Sequence, residues 1–294
     1  MNFTITGSLG HISKPLAGTL IAAGHQVTII SSSADKVKAI EQLGATAAIG
    51  SVEDVAFLTA AFSGKDAVYT MVPPNFGASN IREFIAGTGK KYADAIKASG
   101  VKQVVNLSSI GAHLDGGTGP ISGLHDVEQT YSKLDDVAIK HLRPGFFYIN
   151  FFGNIDMIKH AGILGSNYSA ETPLVLVHPN DIAAVAAEEL QQGFTGKSIR
   201  YIASDESTAE NLASVLGAAI GKPELPWVEF NDEEALQGML QAGLPEVMAK
   251  SYVEMGDATR SRKLYKHYFN NRPSSLGKIK LEDFAVEFAK AFTR

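Results

Sequence analysis

The chain has 294 residues, 45% of them hydrophobic and 19% charged, and is therefore large and apolar enough to bury a substantial core. A net charge of −5 gives no general attraction for nucleic acid or membrane surfaces, so a small molecule is the expected partner. The sequence has no cysteine, no leader-like N-terminus and no bilayer-length apolar run; these features exclude disulfides and thiolate sites and favour a cytoplasmic protein.

Strand-like and helix-like runs alternate from the first residues. The predicted strands are 3–6, 26–30, 46–49, 67–72, 103–107 and 137–142, and the predicted helices between them are 15–23, 34–43, 52–62, 81–98 and 127–134. Strands that alternate with helices pair in parallel, with helices on both faces of the sheet. The pattern therefore predicts an α/β fold, a Rossmann-type doubly wound parallel sheet.

After residue 145 the alternation loosens. An apolar run at 174–177, a helix from Asp181 and a strand at 198–203 are expected to complete the sheet, and the pattern from residue 207 is mostly helical. We predict a Rossmann domain over 1–150, with its sheet completed by 174–204. Residues 151–294 are predicted to form a smaller, mostly helical lobe interleaved with the last sheet elements.

The turn after the first predicted strand reads Gly7-Ser8-Leu9-Gly10-His11-Ile12-Ser13. A dinucleotide site needs a tight turn, a bare backbone beside the pyrophosphate and a helix N-terminus aimed at that charge. The spacing departs from Gly-x-Gly-x-x-Gly, and Ser13 stands where the third glycine is usual. Alone, the two glycines also fit an ordinary strand-to-helix turn. Their place after the first strand of an alternating pattern favours a nicotinamide dinucleotide.

The end of the second predicted strand reads Ser31-Ser32-Ser33, with Lys36 nearby. A carboxylate at this point bonds the ribose hydroxyls of NAD and repels a 2′-phosphate. Hydroxyls and a lysine accept such a phosphate, so the sequence predicts a preference for NADP(H) over NAD(H). The alternative is that the serines only cap the helix beginning at residue 34.

Blocks at Thr6–Gly10, Leu142–Phe147 and Pro179–Ala186 resemble the NmrA-like branch of the atypical short-chain dehydrogenase/reductases, and the likeness covers nearly the whole chain. That family contains NAD(P)H-dependent quinone oxidoreductases, reductases of aromatic and dye-like compounds, and regulators that bind the dinucleotide without catalysis. The resemblance implies that 7–12 lies under the pyrophosphate and 31–33 beside the adenosine ribose. It also implies that further residues line the cofactor, namely Met71, Val72, Pro73 and Ser108.

The tyrosine–lysine pair of typical short-chain reductases, spaced Tyr-x-x-x-Lys, is missing from the expected region. Tyr131 and Lys133 are two residues apart and point in different directions on a helix. His125 and Glu128 resemble the histidine-bearing quinone reductases, in which an imidazole assists an electron-poor acceptor. Alternatively, His125 and the acids after it only begin a helix. The candidate catalytic residues are Ser108, His125 and Tyr131.

Phe146, Phe147 and Tyr148 are candidates for the wall of a flat substrate pocket, although aromatic packing at the junction between the lobes is expected for at least half of the run. The histidines show no metal-ligand spacing. The leading prediction is an NAD(P)H-dependent oxidoreductase acting on a quinone or similar small electron acceptor. A catalytically silent redox-sensing regulator is the main alternative, and an isomerase-like extended member is the third. A homo-oligomer or a regulatory protein partner is compatible with the sequence.

Overall fold

The computed structural model describes residues 1–294, and its strands divide into three sheets. The strands are β1 (Asn2–Ile5), β2 (Gln26–Ser31), β3 (Thr46–Ile49), β4 (Ala67–Thr70), β5 (Gln103–Leu107), β6 (Ala138–Pro144), β7 (Phe146–Phe147), β8 (Leu164–Ser166), β9 (Pro173–Val177), β10 (Lys197–Ile202), β11 (Asp205–Thr208) and β12 (Trp227–Glu229). The main sheet has seven parallel strands in the order β3-β2-β1-β4-β5-β6-β10. The predicted doubly wound α/β fold is thereby confirmed.

The helices cover both faces of that sheet and build the C-terminal lobe. They are α1 (Ser13–Ala22), α2 (Val37–Gln42), α3 (Val55–Phe62), α4 (Ile81–Ser99), α5 (Ile121–Ser132), α6 (Ile155–Ala161), α7 (Pro179–Gln191), α8 (Ala209–Ala219), α9 (Asp232–Gln241), α10 (Glu246–Arg260), α11 (Lys263–Asn270) and α12 (Leu281–Phe292). One core joins α1 and α7 to the sheet, and a second joins α3, α4 and α5 to its other face. No helix has both the length and the apolar character that a membrane span requires.

The order of the main sheet reverses between β1 and β4, whose connections run in opposite directions. In such sheets the loops separate at the carboxyl ends of the two central strands and leave a crevice there, which is where doubly wound folds bind ligands. The glycine turn, the end of β4 and the end of β5 all lie at this edge. The topology therefore brings the predicted cofactor residues to one place.

The apolar run at 174–177 does not join the main sheet. It forms β9, which pairs antiparallel with β11 and parallel with β7 in a separate three-stranded sheet. At Gly145 an added Cβ would lie 2.4 Å from the Val175 carbonyl oxygen, so the chain leaving β6 passes directly against β9. The apolar run indicates a buried strand, but it does not indicate which strands pair with it. Only β10 extends the main sheet beyond β6, as predicted for 198–203.

The C-terminal lobe has an aromatic core of its own. Phe284 and Phe288 of α12 pack there with Tyr148 and with apolar residues of α8. Helices α10 and α11 belong to another cluster, which covers residues that follow β5 and β10. This second cluster places α11 over the carboxyl edge of the main sheet.

Asp181, in the first turn of α7, forms hydrogen bonds with the segment that precedes α12. Its carboxylate accepts hydrogen bonds from the Ser204 hydroxyl at 2.6 Å and from the backbone N–H groups of Lys278 and Ile279 at 3.1 Å each. An added Cβ at Gly277 would lie 2.3 Å from the same carboxylate, which leaves room only for glycine. The contacts fix the start of the last helix against the Rossmann domain.

Candidate functional site

The turn between β1 and α1 is built around Gly7, whose φ of +91° lies in the left-handed region. A Cβ at this position would lie 2.5 Å from Ser13 Oγ and 3.0 Å from Met71 Sδ. Ser8 also has a positive φ, of 54°, and its hydroxyl donates to Ser31 Oγ at 2.9 Å. The turn is therefore tight, and no side chain fits at its first position.

Ser13 takes the place of the third glycine without opening the turn. It is buried at the first residue of α1, and its hydroxyl donates to the Thr6 carbonyl oxygen at 2.8 Å. A hydrogen bond between the end of the strand and the start of the helix thus replaces the close glycine packing. The departure from the usual spacing is structurally accommodated.

The N-terminus of α1 is free to bind an anion. The backbone N–H groups of His11, Ile12 and Ser13 donate to no acceptor in the chain, and the first helical turn holds no acidic residue. Unpaired N–H groups and the positive end of the helix dipole together stabilise a phosphate. With the bare backbone at Gly7, these groups fit the pyrophosphate of a dinucleotide.

The three serines at the end of β2 have different roles. Ser31 is buried, and its hydroxyl, which accepts from Ser8, is engaged within the turn. Ser33 precedes a short 3-10 helix at Ala34–Lys36, but its side chain makes no capping hydrogen bond, so the capping interpretation is wrong. Ser32 and Lys36 are exposed, as is Asp35 between them, a carboxylate that the sequence prediction overlooked.

Met71 lies directly against the glycine turn. Its backbone N–H donates to Thr6 Oγ1 at 2.8 Å, and its carbonyl oxygen accepts from the Tyr92 hydroxyl at 2.9 Å. Val72 and Pro73, the next residues, are half-buried. The end of β4 is therefore held against the glycine turn, beside the crevice.

Ser108 follows β5 and is buried at the carboxyl end of the sheet. Its hydroxyl donates to Glu128 Oε1 on α5 at 2.5 Å. Arg143 on β6 contacts both carboxylate oxygens, with Nε 3.0 Å from Oε1 and Nη2 2.5 Å from Oε2. Burial acts to raise the pKa of Glu128, but the hydrogen bond from Arg143 leads several contacts that hold it below its ordinary value. The carboxylate is therefore ionised at neutral pH.

The same network continues into the C-terminal lobe. Arg143 Nη1 donates to the Tyr201 hydroxyl oxygen on β10 at 3.3 Å, and that oxygen lies 2.7 Å from His267 Nδ1 on α11. Because the hydroxyl oxygen accepts from Arg143, its own proton is available for His267. Hydrogen bonds thus connect Ser108, through Glu128 and Arg143, to a helix of the other lobe.

His125 lies within α5, in its second turn. The helix begins at Ile121 rather than at residue 127, so the interpretation of 125–128 as a helix start is wrong. His125 Nδ1 lies 2.9 Å from the Ala112 carbonyl oxygen. A carbonyl only accepts, so Nδ1 carries the proton, and Nε2 of the neutral ring holds a lone pair. His125 donates a proton from Nε2 only as an imidazolium.

Two further histidines face this region. The rings of His113 and His267 lie 4.9 Å apart. Burial, then the neighbouring His267 and Arg143, lower the pKa of His113 to about 4, so its ring is neutral at neutral pH. The histidines do not form a metal-binding arrangement with the acidic side chains.

Tyr131 does not belong to the site. Its side chain is fully buried between α5 and the sheet, and its hydroxyl donates to Thr70 Oγ1 at 3.2 Å. Burial raises the pKa of this hydroxyl far above its ordinary value. A residue enclosed in this way does not touch a ligand, and the prediction of a catalytic role for Tyr131 is wrong.

The aromatic run divides between surface and core. Phe146 and Phe147 form β7 and are half-buried. Tyr148 is fully buried and stacks on Phe284, with ring centroids 5.2 Å apart. Tyr148 therefore packs the aromatic core of the C-terminal lobe and is not a substrate contact, whereas the two phenylalanines remain candidates.

Sequence reasoning missed the pairing of Glu128 with Arg143, which the fold brings together from α5 and β6. A partial signal was available, because Glu128 directly follows the apolar Val127 in the predicted helix and Arg143 directly follows the predicted strand that ends at Leu142. Buried charges of this kind are normally paired. Which two residues pair depends on the packing of the helix on the sheet, and the pattern of one element does not contain that information.

A family model described as NAD(P)H-binding matches residues 7–141. No curated protein sequence matches the chain. The fold is similar to that of an Escherichia coli NADPH-dependent quinone oxidoreductase, with a TM-score of 0.79 and 18% identity over 97% of this chain and 98% of that one. Citrobacter sp. triphenylmethane reductase matches with a TM-score of 0.80 and 19% identity over 98% and 99%.

A Staphylococcus aureus nucleoside-diphosphate-sugar epimerase matches with a TM-score of 0.78 and 17% identity over 97% of this chain and 100% of that one. The quinone oxidoreductase is also known in complex with NADPH, and the triphenylmethane reductase in complex with NADP(H). The expected fold is confirmed, and the segment that the family model matches is the one in which the sequence places the dinucleotide site.

Proposed function

We propose that the protein is an NmrA-like, atypical short-chain dehydrogenase/reductase that acts as an NAD(P)H-dependent oxidoreductase of a quinone or similar small electron acceptor. Residues 7–141 match a family model described as NAD(P)H-binding, and the fold is similar to those of a quinone oxidoreductase and a triphenylmethane reductase. The observation that carries the proposal is the glycine turn, with three unpaired N–H groups at the start of α1. When bound there, the dihydronicotinamide supplies a hydride, which is two electrons and one proton. Reduction of a quinone to a quinol needs one more proton, from a side chain or from water.

We assign that second proton to His125, with Phe146 and Phe147 as contacts of a flat acceptor. The imidazolium form carries a proton on Nε2 while Nδ1–H remains bound to the Ala112 carbonyl oxygen, so the ring keeps its orientation during the transfer. Ser108 approaches from the end of β5 and contributes a polar group to the same region.

Anaerobic mixing of the pure protein with NADPH and a panel of small quinones tests this function through loss of the nicotinamide absorbance. We expect turnover, and we expect His125→Ala to lower kcat by about 100-fold, the usual contribution of a positioned general acid. His160→Ala, on an exposed helix of the C-terminal lobe, is the matched control and leaves kcat unchanged. Unchanged kcat in His125→Ala would remove the assignment to His125.

We further propose a preference for NADP(H), carried by Ser32 and Lys36. Both side chains are exposed after β2, where an adenosine ribose is expected, and the positive charge of Lys36 can pair with a 2′-phosphate and offset the carboxylate of the neighbouring Asp35. Lys36→Ala is expected to weaken NADPH binding by about 10-fold and to leave NADH binding unchanged, the typical effect of losing one charged hydrogen bond. Equal weakening of both cofactors, or tighter binding of NADH by the wild type, contradicts the preference. Lys38→Ala, exposed on α2, is the control.

A dinucleotide-responsive regulator is the second candidate. The burial of Tyr131, which leaves the crevice without any tyrosine–lysine pair, favours it. Such a protein binds NADPH tightly and acts through a protein partner or a second copy of the chain. Tight binding of NADPH without turnover of any quinone or dye in the panel would replace the oxidoreductase proposal with this one.

A further inference from the structure

We propose that Glu128 and Arg143 are positioning residues that hold the Ser108 hydroxyl as a hydrogen-bond acceptor toward the nicotinamide half of the cofactor. The inference rests on the proposed function, since it assigns a ligand to the crevice at the end of β5. It goes further by fixing what Ser108 can and cannot do there.

The single proton of the Ser108 hydroxyl is committed. Glu128 Oε1, 2.5 Å away, is a carboxylate oxygen and only accepts, so the proton of the hydrogen bond belongs to Ser108. The remaining lone pairs of Oγ accept hydrogen bonds from other groups. Ser108 Oγ can therefore accept a hydrogen bond from a ligand group such as a ribose hydroxyl or a carboxamide NH₂. It is not available to donate to a substrate carbonyl, which excludes one of the roles open to a serine at this position.

Arg143 keeps this arrangement in place. Its Nε and Nη2 contact the two oxygens of Glu128, and the two side chains are only 7% and 8% exposed. A bidentate guanidinium fixes the plane of the carboxylate as well as its position. Glu128 Oε1 thus accepts two hydrogen bonds, one from Arg143 Nε and one from the Ser108 hydroxyl. Rotation of the carboxylate would break both.

The second layer of contacts comes from β10 and α11. The Tyr201 hydroxyl accepts from Arg143 Nη1 and lies within hydrogen-bond distance of His267 Nδ1. The orientation of Arg143 is therefore fixed by the main sheet and by the C-terminal lobe together. A network that only joined α5 to β6 would need no contact with Ser108. The direct bond from Glu128 to the residue at the crevice is what points to a positioning role.

Four proteins test the proposal: the wild type, Ser108→Ala, the double variant Glu128→Met/Arg143→Met, and the triple variant. Replacing both members of a buried ion pair with apolar side chains of similar size leaves a fold intact or stabilises it, so the double variant keeps its structure. Each protein is titrated with NADPH, followed by its fluorescence. Each is also titrated with adenosine 2′,5′-bisphosphate, which carries the adenine half of the cofactor alone.

We expect Ser108→Ala and the double variant each to weaken NADPH binding by about 10-fold, the effect of one lost hydrogen bond. The triple variant is expected to bind no more weakly than Ser108→Ala, because Glu128 and Arg143 act through that hydroxyl. Adenosine 2′,5′-bisphosphate is expected to bind all four proteins equally. Glu128→Gln, which keeps an acceptor oxygen for Ser108, is expected to retain most of the wild-type affinity.

Two results would overturn the positioning role and leave the proposed function standing. One is a triple variant that binds NADPH more weakly than Ser108→Ala, by the product of the two separate losses, and the other is a double variant with wild-type affinity for NADPH. Weaker binding of adenosine 2′,5′-bisphosphate by the double variant would also overturn it, since this points to a general loosening of the domain. Failure of the wild-type protein to bind NADPH would overturn both proposals.

Discussion

Replacing Gly7 with alanine is expected to weaken NADPH binding by at least about 100-fold. The variant loses two contacts of the pyrophosphate, one with the bare backbone at position 7 and one with the N-terminus of α1. The added Cβ would lie 2.5 Å from Ser13 Oγ, which donates to the carbonyl of Thr6. Relief of that clash must move the start of α1 away from β1. The unpaired N–H groups of His11 and Ile12 would then no longer point at one phosphate position.

Gly24→Ala is the matched control for this substitution. Gly24 also has a left-handed φ, of +83°, but a Cβ there meets nothing within 4 Å. Both variants carry the same backbone strain, which costs about 1 kcal/mol of unfolding free energy. Isothermal titration of both with NADPH separates strain from site geometry. Equal affinities in the two variants would show that the turn at Gly7 does not hold the cofactor.

Arg143→Met is expected to lower the free energy of unfolding by about 3–5 kcal/mol, the typical cost of removing one partner from a buried ion pair. The variant leaves the Glu128 carboxylate, 8% exposed, without its cation. Chemical denaturation at neutral pH measures the loss. Arg82→Met is the control, because Arg82 also contacts both oxygens of one carboxylate, that of Asp126, but the two side chains are 46% and 30% exposed, and exposed pairs contribute about 0–1 kcal/mol.

The pH dependence of this loss has a definite sign. In the wild type, the pKa of Glu128 lies below its ordinary value, so its stabilisation is full at neutral pH and is lost as the pH falls through the folded-state pKa. Without Arg143, burial is opposed only by the Ser108 hydrogen bond and by His141, and we expect burial to prevail and to raise the folded-state pKa above the unfolded value. The variant is then least stable at neutral pH. We expect the difference between the two proteins to narrow from pH 7 to about pH 5, whereas a constant difference would contradict this account.

The parts of the structure that depend on local pattern were predictable from the sequence. The glycine turn requires a left-handed backbone with no Cβ at position 7, and the parallel pairing of the first six strands, with helices on both faces, follows from regular alternation of strand and helix. The segment around Met71 follows from the same rule, since carboxyl ends of parallel strands meet at one edge.

The errors arose where the partner of a segment decides its role. The apolar run of β9 indicates burial, but pairing with β7 and β11 depends on the path of the chain after Gly145. Tyr131 and Tyr148 have the chemistry of site residues, yet both lie in cores formed by residues remote in the sequence. Burial against distant elements cannot be obtained from residue type or spacing alone.

The position of β10 also has a consequence for how the chain folds. The seventh strand of the main sheet is synthesised after β7, β8 and β9, so β6 has a free edge until residues 197–202 leave the ribosome. Unpaired apolar edges favour association between chains. A fragment ending near residue 150, at the boundary that the sequence suggests, keeps this edge permanently open. The main sheet is therefore complete only when the later part of the chain, which contains β10, is present.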